Sequence, residues 1–88
     1  MLTDADITYL SRIREDCERI LGVGVDIVDL DWRKADPVTL TIRYRMGAVQ
    51  AETVADGESV IAAHADLRQR LVVDRVKLGL DVLTRSAS

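Results

Sequence analysis

The chain has 88 residues, 48% hydrophobic and 31% charged, with twelve Lys and Arg against fifteen Asp and Glu for a net charge of −3. This length allows one packed domain and the balance excludes wholesale disorder, while the slight acidity argues against a dedicated binder of nucleic acid or of anionic membranes. No apolar run approaches the ~20 residues of a membrane span, and Met1–Asp6 lacks the basic and apolar regions of a signal peptide, so the expectation is a soluble cytoplasmic protein.

The first predicted element is a helix over about 3–21. Thr3 is a suitable cap, and Asp4 and Asp6 bring negative charge to the first turn, where the helix dipole favours it. Ile7, Leu10, Ile13, Cys17, Ile20 and Leu21 fall on one arc, with Arg12, Glu15, Asp16, Glu18 and Arg19 on the other, and Gly22 can end the helix. A strand over about 25–33 follows. Val25 and Ile27 alternate in one phase and Val28, Leu30 and Trp32 in the other, which predicts a bulge near Ile27–Val28.

Arg33–Pro37 is the turn into a second strand over 38–46, where Val38, Leu40, Ile42, Tyr44 and Met46 face one way and Thr39, Thr41, Arg43 and Arg45 the other. Gly47 marks a tight hairpin at Met46-Gly47 or Gly47-Ala48, setting Arg43 opposite Gln50 or Glu52. The third strand covers about 48–55, with Val49, Ala51, Thr53 and Ala55 inward. A long helix over about 57–84 comes last, capped by Asp56 or Ser59, with 85–88 as a frayed tail. Counted from Ser59 to Thr84 it has 26 residues and would reach ~39 Å, longer than strands of ~30 Å.

This order predicts an α+β, two-layer sandwich: α-β-β-β-α, a three-stranded antiparallel meander with both helices on one face. Double-stranded RNA-binding domains and a class of small dimeric nucleoid proteins share that order. The similarity is one of topology alone: the acidic start Asp56-Gly57-Glu58-Ser59 would repel phosphate where the RNA-binding domains grip it with lysines.

The last helix divides into three sectors. Asp66, Arg70, Asp74, Lys77, Asp81 and Arg85 form a charged one, read as a solvated face or as an antiparallel contact with a second copy. Val60, His64, Leu67, Leu71, Leu78 and Val82 form one apolar stripe, and Ile61, Ala62, Ala65, Val72, Val73, Val76, Leu80 and Leu83 another, with Arg68 and Arg75 between them. One stripe suffices to cover a sheet. The second predicts a homodimer, with Val72, Val73, Val76, Leu80 and Leu83 as its interface.

Signals for chemistry are sparse. The one histidine, His64, lies on the narrower apolar stripe and reads as a half-buried structural residue. The one cysteine, Cys17, sits within an apolar helix face and precludes an intramolecular disulfide; with one Cys and one His the chain cannot build a structural zinc site. Asp26, Asp29 and Asp31 lack the glycine-bearing loop of a calcium site and read as charges guarding a strand edge. No nucleotide-binding glycine motif or nucleophile elbow occurs, so no enzyme and no cofactor is expected. The function expected is a small non-enzymatic accessory protein that acts as a homodimer and binds another protein. The alternatives are nucleic-acid contact through Arg33, Lys34, Arg43 and Arg45 on the open sheet face, beside Trp32, or a ligand pocket or enzyme site near His64, Trp32 and Tyr44.

Overall fold

A computed structural model describes residues 2–87, with side chains as far as Lys77. Helix α1 spans Asp4–Leu21 and opens on a reciprocal capping box. The Asp6 N–H donates to Thr3 Oγ1 at 3.2 Å, and the Thr3 N–H donates to Asp6 Oδ2 at 2.9 Å. Gly22, at φ 85, ends the helix with its N–H on the Glu18 carbonyl.

Strands β1 (Asp26–Arg33), β2 (Val38–Met46) and β3 (Val49–Gly57) form an antiparallel sheet in the order β1-β2-β3, and α2 (Val60–Ala87) closes the chain. Both helices lie on one face, as the order of elements predicts. The expected bulge is present: Ile27 pairs with Tyr44 and Asp29 with Arg43, which leaves Val28 unpaired. The extra residue puts Ile27, Leu30 and Trp32 all on the helix side, resolving the change of phase seen in the sequence. The hairpin turns at Gly47-Ala48, so Met46 pairs with Val49 and Arg43 with Glu52.

The end of β3 corrects the sequence-based bounds. The strand runs to Gly57, paired with Val38, rather than ending at 55, and α2 begins at Val60 rather than 57. Continued pairing with the start of β2 holds Asp56 in the sheet, so capping falls to Ser59, whose Oγ accepts from the Ala62 N–H at 3.3 Å. The turn back is tight: a Cβ on Gly57 would lie 2.5 Å from the Ala63 nitrogen.

α2 rests mainly on β3 and more lightly on β2 and α1, while α1 lies on β1. Ile13 and Cys17 from α1, Leu40 and Ile42 from β2, and Ala63, Leu67 and Leu71 from α2 are fully buried. The narrower stripe of α2 is therefore the one on the sheet. Leu78 and Val82 lie outside the residues whose side chains are described. At 28 residues α2 is ~42 Å long, longer than any of the nine-residue strands, which reach ~30 Å.

Candidate functional site

The direction of Leu67 and Leu71 fixes how α2 is turned. At 100° per residue, Ile61, Ala62, Ala65, Gln69, Val72, Val73 and Val76 occupy the arc facing away from the sheet. A solvated helix face is normally charged. Here Gln69 is the only polar residue of the arc as far as Lys77, and the large side chains are at least half exposed: Ile61 73%, Val72 53%, Val73 53% and Val76 58%. The arc extends over ~23 Å of helix. α1 does not cover it: Ile20 near the end of α1 forms with Val72, Arg75 and Val76 an open groove along its margin. Val72, Val73 and Val76 thus stand together on the exposed arc, whereas the Leu80 and Leu83 side chains lie outside the described residues.

Charged groups flank this arc on both sides. Toward α1, Arg68 Nε is 3.0 Å from Asp16 Oδ2, and Arg75 donates to the Ile20 carbonyl at 3.3 Å. Toward β3, Arg70 Nε donates to Asp66 Oδ2 at 2.9 Å, the intrahelical pair expected of a solvated sector. Asp74 departs from that expectation. Its Oδ2 accepts from Thr53 Oγ1 at 2.6 Å and from the Tyr44 hydroxyl at 3.3 Å, both on the sheet beneath. Burial pushes the Tyr44 phenol above its ordinary value, with the nearby Asp74 charge adding to the shift. An open groove runs between α2 and the outer edge of β3, lined by Glu52, Val54, Asp66, Arg70 and Lys77, with Thr53 and Asp74 among its walls.

His64, Trp32 and Tyr44 do not share one pocket. His64 Nε2 lies 3.0 Å from Asp16 Oδ2, and its ring meets Tyr9 edge-on at 6.3 Å. Trp32 lies on the other side of Tyr9, at 6.2 Å between ring centroids. Tyr44 is four residues along β2 from Leu40, the partner of Trp32, and so ~13 Å away along the sheet. The partner of His64 escaped the sequence reading because Asp16 is 48 positions away on another helix, on the side assigned to solvent. Asp16 is also shared with Arg68 and with Arg19, whose Nη2 is 3.7 Å from Oδ1, so the cluster acts as a polar clasp between the helices.

Of the four basic candidates, Lys34, Arg43 and Arg45 are each beside an acid, and Arg33 is exposed at the end of β1 opposite Thr39. Arg43 stands on the open face between its strand partners Asp29 and Glu52, with Nε 3.9 Å from Glu52 Oε1, and Arg45 Nη2 is 3.8 Å from Asp26 Oδ2. Lys34 pairs with Asp6 and lies 5.4 Å from the centroid of the Trp32 ring. That hydrogen bond to Lys34, with the Thr3 N–H, holds the Asp6 carboxyl below its ordinary value. Trp32 faces the helices and cannot offer a stacking surface beside Arg43 and Arg45 on the opposite face.

Cys17 is fully buried, and burial pushes its thiol up to about 12, which leaves it protonated and unreactive in the folded chain. Among the described residues no group of three or more His, Cys, Asp and Glu could hold a metal ion, and no helix is long and apolar enough to cross a membrane. No family model, curated protein or solved structure matches the chain.

Proposed function

We propose that this is a small non-enzymatic accessory protein of the cytoplasm that works as a homodimer through α2 and binds another protein. The observation that carries the reading is the outward arc of α2, where Ile61, Val72, Val73 and Val76 are at least half exposed. An apolar strip of this kind gains free energy by leaving water at roughly 25 cal/mol per Å², and strips of a few hundred Å² on soluble chains mark contact surfaces.

The dimer is expected at tens of micromolar in sedimentation equilibrium. Val73→Glu together with Val76→Glu should weaken it by about a hundredfold or more, because each copy would have to bury two unpaired carboxylates. Changing Arg43 and Arg45 to Ala on the far side of the sheet should leave it intact. A wild-type chain that stays monomeric at these concentrations overturns the reading.

The place for another protein is the outer edge of β3. The β1 edge carries a bulge and the acidic pair Asp29 and Asp31, devices that oppose strand addition. β3 has neither a bulge nor a proline over its nine residues, and the groove beneath α2 runs along it. Val54, about half exposed on that strand, is the side chain to change. Val54→Lys is expected to abolish copurification of the partner from its source cells while the dimer persists; undiminished copurification removes this half of the proposal.

A further inference from the structure

We infer that the two α2 helices of the dimer run antiparallel, across a two-fold axis that crosses the outer arc near Gln69 and Val72, so that Asp66 of each copy meets the partner's Lys77. This inference rests on the reading of α2 as the dimer surface and adds its geometry.

Two independent features of the arc carry it. The first is charge. Asp66 and Lys77 are eleven residues apart, close to three full turns, so they stand on the same flank of α2 about 16 Å from one another. Both line the groove on the β3 side of the arc. In an antiparallel pair related by a two-fold axis, each flank faces the same flank of the partner in reverse order. Asp66 then lies within a residue or two of the level of the partner's Lys77, and the symmetry makes the pair twice; the two Arg70 side chains come level near the axis, each already held by its own Asp66 at 2.9 Å. Asp66 already accepts from Arg70 and from the Asp56 N–H, and both contacts fall on Oδ2.

A parallel pair would instead face the β3-side flank with the partner's α1-side flank. That flank carries Arg68, already 3.0 Å from Asp16, and Arg75, already bonded to Ile20. It would bring Lys77 to Arg75, like charge to like.

The second feature is volume. After Ile61, the N-terminal half of the arc carries the small residues Ala62 and Ala65, and the C-terminal half the larger Val72, Val73 and Val76. An antiparallel order sets the small Ala65 against the partner's larger Val76 and brings Gln69 level with the partner's Val72. In a parallel order Ala65 would face its own copy across a gap while Val76 crowded against Val76.

Single-cysteine variants read the direction. The native thiol of Cys17 is buried and protonated, so an introduced thiol is the reactive one. Ala65→Cys and Val76→Cys, each oxidised alone, are expected to give little disulfide-linked dimer, whereas an equimolar mixture of the two gives the linked heterodimer. Efficient linkage of either variant with itself, in a chain that does dimerise, overturns the antiparallel arrangement and leaves the dimer reading standing. A monomeric wild type overturns both.

Charge exchange tests the pair itself. Asp66→Lys alone and Lys77→Asp alone should each raise the dimer dissociation constant about tenfold, through two lost pairs and two like-charge contacts. Their equimolar mixture should form a heterodimer with an affinity within about threefold of wild type. Circular dichroism of each variant establishes that it is folded. A mixture no tighter than the single variants overturns the pairing of Asp66 with Lys77.

Discussion

Leu71→Ala is expected to lower the free energy of unfolding by about 3 kcal/mol and the melting temperature by roughly 12–24 °C. Leu71 is fully buried on the sheet-facing stripe of α2, one turn beyond Leu67 and two beyond Ala63, which are also fully buried. Truncation removes its transfer free energy and leaves a cavity that neighbours on a strand cannot readily fill. The adjacent Val72 is the internal control: 53% exposed and turned away from the sheet, it should tolerate Ala with a loss below about 0.5 kcal/mol in the monomer. Thermal and denaturant unfolding at one protein concentration low enough to keep the chain monomeric make the comparison, since self-association raises apparent stability and Val72 lies in the proposed dimer surface. A Leu71→Ala loss under about 1 kcal/mol would mean that the helix is not turned as described.

Gly57→Ala is the second large effect, about 2–3 kcal/mol, and its cause is contact rather than backbone conformation. Gly57 does not occupy the left-handed region that Gly22, Gly24 and Gly47 do. Its added Cβ would instead sit 2.5 Å from the Ala63 nitrogen and 2.8 Å from both the carbonyl carbon and the Cβ of Ala62. Two of those three atoms belong to the backbone of the first turn of α2, so a side-chain rotation cannot relieve the overlap. Adding Ala62→Gly should therefore recover only part of the loss. Denaturant midpoints of wild type, Gly57→Ala and the double variant decide it. A single variant within about 0.5 kcal/mol of wild type would show that helix and strand end are less closely packed than the distances state.

Much of the fold was legible because it is written in short-range pattern. The alternation from Val38 to Met46 assigned both faces of β2, and the change of phase at Ile27–Val28 located the bulge. Thr3 and the acidic first turn marked the start of α1. The start of α2 was harder, since Asp56 and Ser59 are both good caps and local chemistry does not separate them. The pairing of Gly57 with Val38, nineteen positions earlier, did so.

The candidate surface divides along the same line. By itself the sequence determined that α2 carries more apolar surface than one sheet can use, and that Val72, Val73 and Val76 share a stripe. A helical period is set by the backbone and needs no partner to be read. Only the tertiary structure decided how far α2 rolls onto β3 beside α1, which buries Leu67 and Leu71 fully and leaves Val72, Val73 and Val76 about half exposed. The same roll turned Asp74 down onto Thr53 and Tyr44 and brought His64 and Arg68 to Asp16, while strand register set Arg43 and Arg45 against acids. Such contacts join residues tens of positions apart, and their geometry follows from packing that no local spacing encodes.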